Sequence, residues 1–222
     1  MGPCETPPSS CSTPPASPCC ASASATYGSV PAAVAWFDQM IPHCLEYAQA
    51  ERALGKPIVG IMCEYTPREL ILAAGAVPVC LCGGSASTIP AAEEGMPALL
   101  CPLIKSTYGY HVQGSNPFIE MADLIVAEGT CDGKKKMYEL MAEKRSMYVL
   151  ELPKKQNDDD ARAYWEAEVR RFKAMLEERF RVVITGDRLR EAVHLMNRER
   201  ALRRNLGGLM KSDCPPLPGR QL

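Results

Sequence analysis

The sequence predicts an α/β fold, a parallel sheet with helices on its faces. Three observations predict it. Short apolar runs alternate with stretches of helical periodicity. The runs are apolar throughout instead of alternating with polar residues, as expected for strands buried on both faces. Glycine, proline and capping residues punctuate the joints between them. With 46% apolar and 23% charged residues in a chain of 222, most of the sequence can bury a core.

The elements follow in order. Residues 1–28 are Pro, Ser, Ala, Thr and Cys with a single charge at Glu5, too little apolar surface to offset the entropy of ordering, so a disordered tail is expected. From Pro31, Val34, Phe37, Ile41, Cys44 and Leu45 recur at helical spacing, which predicts one amphipathic helix to about Leu54, stopped by Gly55-Lys56-Pro57. Residues 58–62 form the first strand. Thr66-Pro67-Arg68-Glu69 has the pattern of a capping box with proline at the first helical position. The helix it opens ends at Gly75, a left-handed cap. Residues 77–82 make the second strand and Gly83-Gly84 closes it, so 57–84 reads as a βαβ unit. After a loop containing Pro90 and Pro97, Cys101-Pro102 opens a helix. Residues 122–127 form the third strand, Asp132 is expected to cap a helix over 133–144, and 147–152 form the fourth strand. A polar linker over 153–160 leads to two helices, at about 160–180 and 186–205, and Pro215-Pro216 begins a second linker. The whole predicts a tail (1–28), a Rossmann-like domain (29–156) and a helical segment with linker (157–222).

Composition excludes several functions. Twenty-five basic and 26 acidic side chains leave a net charge of −1, so no general basic field exists to hold nucleic acid or a membrane surface. The longest apolar run, from Leu70 to Cys82, contains Gly75 and Pro78 and is too short to span a bilayer. No basic segment followed by an apolar run opens the chain, so the cytoplasm is the expected compartment.

Eleven cysteines are many for such a chain, and in a reducing compartment they point to metal binding or thiol chemistry before disulfides. No Cys-x-x-Cys occurs, so any metal site must be assembled from distant segments. Ligands of open α/β sheets bind beyond the carboxyl ends of the strands. Cys63 follows the first strand, Cys131 follows the third, and Cys101 opens a helix after the second strand's loop. Three thiols at one sheet edge, each near a helix N-terminus, suit an iron–sulfur cluster or zinc and not an oxygen-ligated cation. Cys44, Cys80 and Cys82 are expected to be core packing. Lys134-Lys135-Lys136 places cations in a first helical turn against the macrodipole, which suggests an anionic partner. Lys105 and Ser106 stand one turn beyond Cys101 and could contact a cluster or substrate.

The blocks Cys63-Glu64-Tyr65-Thr66-Pro67-Arg68-Glu69-Leu70, Gly75-Ala76-Val77-Pro78-Val79, Cys101-Pro102-Leu103-Ile104-Lys105-Ser106 and Thr130-Cys131-Asp132-Gly133-Lys134-Lys135-Lys136-Met137 together resemble the 2-hydroxyacyl-CoA dehydratase family. That family includes benzoyl-CoA reductase subunits and double-cubane cluster proteins. The likeness covers about residues 30–220, and the lysine-rich block after Cys131 looks most like the double-cubane branch. The resemblance implies an oxygen-sensitive lyase or reductase with a 4Fe–4S cluster, or a double-cubane 8Fe–9S cluster in that branch. It implies Cys63 and Cys101 as cluster ligands, with Cys131 fitting the double-cubane pattern better than the dehydratase one. A separate ATP-hydrolysing iron–sulfur activator would supply single electrons, and the substrate would be a 2-hydroxyacyl-CoA thioester or a small reducible molecule. The family works as two-subunit assemblies and continues into a second α/β domain carrying further ligands. Leu222 falls in the linker to it, so a missing second half or a partner chain is expected. The competing reading is a non-catalytic α/β module whose thiols are structural or hold zinc.

Overall fold

The computed structural model describes residues 32–62, 64–213 and 215–217. The expected tail and Cys63 therefore lie outside the described residues. The chain divides into two compact units, residues 39–200 and residues 1–38 with 201–222.

Within residues 39–200 the order is α2 (Met40–Ala53), β1 (Ile58–Ile61), α3 (Arg68–Ala73), β2 (Val77–Cys80), a 3-10 turn (Ala86–Thr88), α4 (Ile89–Glu93), α5 (Pro102–Gln113), α6 (Pro117–Met121), β3 (Leu124–Glu128), α7 (Asp132–Ala142), β4 (Met147–Leu150), α8 (Asp159–Phe180) and most of α9 (Gly186–Leu209). The other unit holds α1 (Ala32–Asp38) and the last turns of α9. The four expected strands are present, all parallel, in the order β2-β1-β3-β4.

Alternation along the strands divides the core into two layers, as the period of two requires. Ile58, Met62, Ile125 and Ala127 face α5, α6 and α7 through Ile104, Phe118, Ile119, Met137 and Met141. Val59, Ile61, Leu124 and Val126 face α3, α8 and α9 through Leu70, Ile71, Phe172, Leu176 and Ala192. Both faces of β1 and β3 are covered, which explains why their sequences are continuously apolar. Gly60 makes room for Leu81, which stands 2.3 Å from where a Cβ would be. Gly109 lets α5 approach the 3-10 turn, since its Cβ would meet the Thr88 carbonyl oxygen at 1.9 Å.

Several local expectations need correction. The single helix expected from Pro31 to Leu54 is two, broken at Gln39. Pro42 explains the break, because its ring conflicts with the carbonyl four residues back and its nitrogen cannot donate. The Thr66 capping box does not form: Pro67 is the N-cap of α3 without a side-chain bond, and the Thr66 hydroxyl points elsewhere. Asp132 is the first residue of α7, and Cys131 caps it. Cys44, Cys80 and Cys82 are exposed, not packed in the core. Gly75 does adopt the left-handed conformation, with φ at 81°.

Polar ties fasten the layers. Glu177 accepts from Lys173 Nζ and from the Ile184 backbone N–H, both at 2.8 Å, which holds the turn between α8 and α9. Those two bonds, the lysine's first, hold its carboxyl below the usual carboxylate range. His111 is buried beside the Tyr108 ring, and its Nδ1 has no hydrogen-bond partner. Burial, then the charges of Arg145 and Lys144, push the imidazole below its ordinary value.

The unfolded chain therefore takes up a proton at His111 before the folded one does as pH falls, so folding stability drops below the ordinary histidine value of about 6.5. Denaturant melts from pH 7 to pH 5 should show this loss, and His111→Phe should make it shallower. Parallel stability curves for the two proteins would contradict the assignment.

Candidate functional site

Strand order fixes where a ligand would sit. From β1 the chain moves to β2 on one side and then to β3 on the other, so the connections leave β1 and β3 in opposite directions. That switch point opens a crevice beyond the carboxyl ends of these strands. Met62 and residues 64–67 come after β1, and Gly129-Thr130-Cys131 follows β3.

Cys131 is exposed at the N-cap of α7, with its Sγ accepting from the Lys134 backbone N–H at 3.5 Å. Cys101 is exposed at the N-cap of α5 and makes no side-chain cap bond. The first turns of these two helices meet at Gly133, where a Cβ would stand 2.9 Å from Ile104 and 3.2 Å from Leu100. The two thiols thus occupy neighbouring helix N-termini, where the macrodipole favours an anion. Among the described residues, no three His, Cys, Asp or Glu side chains converge as metal ligands do.

A belt of hydrogen bonds braces this edge. Cys82 Sγ donates to the Met62 carbonyl at 2.6 Å, joining the ends of β2 and β1. Ser106 Oγ donates to the Gly83 carbonyl at 3.2 Å, and the Gly83 N–H donates to Thr107 Oγ1 at 3.2 Å, fastening β2's exit to α5. Thr66 Oγ1 donates to Glu128 Oε1 at 2.5 Å, joining the β1 loop to the end of β3. Glu128 is fully buried and its Oε2 has no hydrogen-bond partner. Leaving a buried polar atom unpaired costs about 1–3 kcal/mol.

The lysines and serine singled out in the sequence fall into place unequally. Lys105 is buried, and its Nζ donates to Glu93 Oε1 at 2.6 Å and to the Ala98 carbonyl at 2.7 Å. Its ammonium holds α4 and the following loop to α5. Ser106 is buried and braces the same helix. Lys134 is half-buried, and with Met62, Cys82 and Tyr138 it lines a narrow apolar crevice at the edge. Lys135 lies 3.6 Å from Glu151. Lys136 bonds Glu139 at 2.8 Å, a contact that raises its pKa. Two of the three lysines therefore meet carboxylates of the chain itself. Sequence reasoning missed Glu128 and the role of Thr66. The signal was there, because Glu128 is a charged residue closing the apolar run of β3.

Comparison with known proteins adds a lineage. Residues 63–222 match the family model described as 2-hydroxyglutaryl-CoA dehydratase, D-component. YjiM, a candidate dehydratase subunit of Escherichia coli (strain K12), is 47% identical over 165 residues, covering 74% of this chain and 43% of that protein. The beta subunit of lactoyl-CoA dehydratase from Anaerotignum propionicum is 26% identical over 150 residues, 68% of this chain and 39% of that one. A benzoyl-CoA reductase subunit from Thauera aromatica is 25% identical over 167 residues, 73% of this chain and 42% of that one. The chain spans about two fifths of the length of these relatives.

The Lys105 geometry makes a direct test. Glu93→Leu leaves the buried ammonium with only the Ala98 carbonyl among these two acceptors, and should cost about 1–3 kcal/mol in a denaturant melt. Lys105→Met in the same background should recover part of that loss, since the uncompensated charge is gone. Additive losses in the double variant would contradict the pairing.

Proposed function

Because this chain belongs to the 2-hydroxyglutaryl-CoA dehydratase D-component family, we propose that it is the iron–sulfur part of a dehydratase- or reductase-type enzyme, with Cys63, Cys101 and Cys131 as its thiolate ligands. The observation that carries the reading is the placement of Cys101 and Cys131, exposed at adjoining helix N-termini beyond the carboxyl ends of the strands. Cys63 comes directly after Met62 in the sequence and lies outside the described residues.

The donor set fits a thiophilic group. Thiolates are the ligands iron–sulfur clusters take, and a 4Fe–4S cluster or its double-cubane counterpart would supply single-electron transfer. The chain's own part is to hold and shield. The first turns of α5 and α7 present their N-termini beside Cys101 and Cys131, where the macrodipole favours negative charge. The bracing by Cys82, Ser106 and Thr107 fixes the loops that surround the thiols. Lys134 gives the crevice an apolar stem and a cationic end for an anionic group, whether a CoA thioester's phosphates or a small reducible substrate. Lys135 lies on the same turn for the same purpose, exchanging its contact with Glu151 for the ligand. An ATP-hydrolysing activator would deliver electrons in the cytoplasm. A second subunit or domain would supply remaining ligands and cover the edge, in keeping with the subunit names of the relatives.

Anaerobic reconstitution with iron and sulfide tests the reading, on a chain carrying Cys4→Ser, Cys11→Ser, Cys19→Ser and Cys20→Ser so that the tail offers no thiols. The expected product is brown, contains iron and sulfide, and is lost in Cys63→Ala, Cys101→Ala and Cys131→Ala. A colourless protein that binds zinc instead would favour the non-catalytic module. A cluster that survives all three substitutions would overturn the ligand assignment.

A further inference from the structure

Glu128 is a costly residue in its place. It closes a strand that is otherwise apolar, it is fully buried, and one of its two oxygens has no partner. An apolar side chain of similar size would fill the position without that penalty, so packing alone does not explain a carboxylate. Thr66 is equally unexpected. Its place in the sequence has the pattern of a cap for α3, yet its hydroxyl donates to Glu128 Oε1 at 2.5 Å across 62 residues of sequence. Thr66 is itself buried, so water does not compete for the bond.

The bond connects two specific pieces of chain. On one side are residues 64–67, which follow Cys63 in the sequence. On the other is the last residue of β3, whose next turn ends at Cys131. The register of β1 against β3, with Ile61 opposite Val126, carries the two strands only as far as their ends. The Met62 N–H adds one bond, to the Val126 carbonyl at 3.0 Å. Beyond it, Thr66 and Glu128 provide a side-chain tie between the two exits.

We propose that Glu128 is a positioning residue that, through the Thr66 hydroxyl, holds residues 64–67, which follow Cys63 in sequence, in fixed relation to the Cys131 turn. The proposal deepens the thiol-site reading above and rests on it for its purpose. The tie itself is a property of the chain and can be judged separately. Glu128 contacts no ligand in this role. It acts through Thr66, as outer partners of metal ligands do, and loss of such partners commonly weakens metal binding by about 10–100-fold.

The test uses the full chain with the tail serine substitutions, and Thr66→Val and Thr66→Ser made in it. Iodoacetamide labelling followed by peptide mass mapping gives the rate at Cys63 relative to Cys101, and a Co²⁺ titration reads thiolate coordination from its absorption. Thr66→Val, which keeps the shape and loses the hydroxyl, should change the rate ratio at least about threefold and weaken Co²⁺ binding by about 10–100-fold. Thr66→Ser should restore both. A parental ratio and parental Co²⁺ affinity in Thr66→Val would overturn the proposal, as would a serine variant that behaves like the valine one. If the parent itself shows no thiolate–cobalt absorption, the metal-site reading fails, and the labelling ratio alone decides the tie. If Thr66→Val does not fold, amide hydrogen exchange on the parent decides it. The buried Thr66 amide should exchange more slowly than those of the exposed Ala98 and Leu99, and exchange as fast as theirs would overturn the proposal.

Discussion

The pairing of β1 on both of its edges governs the rest of the structure. Ile58 to Ile61 bond in parallel to Val77 to Cys80 on one side, and Val59 to Ile61 bond to Leu124 to Val126 on the other. Parallel pairing needs a crossover between successive strands, and each crossover must pack on a face of the sheet. The helices of the two core layers follow from that need. So does the switch point, because the chain leaves β1 toward one neighbour and returns to become the other. A different neighbour for β1 would separate the exits of β1 and β3 and remove the switch point between them.

The edge is held by contacts of a different kind from the core. Leucines, isoleucines and methionines fill the two layers, and their burial is non-directional. At the carboxyl ends, specific donors and acceptors take over: the Cys82 thiol, the Ser106 and Thr107 hydroxyls, the Lys105 ammonium and the Glu128 carboxyl. Each of these bonds forms at one fixed geometry, whereas apolar contacts tolerate repacking. The unpaired Glu128 oxygen is stability given up at this edge.

Much of this was legible in the sequence for a physical reason. Strands covered on both faces must be apolar throughout, so residues 58–61 and 124–127 stand out without reference to anything distant. Gly75 announced its left-handed turn because few other residues adopt it cheaply. The caps were less legible. Thr66 has the local pattern of a capping residue, but a partner 62 residues away takes its hydroxyl, and no local rule carries that information. Cys131 displaced Asp132 as the cap of α7 because the helix begins one residue earlier than the aspartate suggested. Cys80 and Cys82 alternate with the buried Val77, Val79 and Leu81 and so fall on the open face of this part of the chain, and which face is covered is not encoded in the strand's own residues. Of the candidate site, Cys101 and Cys131 were legible from their places before helices. The burial of Lys105 against Glu93 was not, since its partner lies on another helix.

The central claim is that thiols from three separate connections serve one site at the carboxyl edge. Cadmium-113 NMR tests it directly, because the resonance position depends on how many thiolates bind the ion. The chain with its four tail cysteines changed to serine, loaded with one equivalent of ¹¹³Cd²⁺, should give one resonance in the range of predominantly thiolate ligation. Cys63→Ser, Cys101→Ser and Cys131→Ser should each move it toward the range of oxygen and nitrogen ligation. A resonance already in that range, or one that any of the three substitutions leaves in place, would contradict the claim.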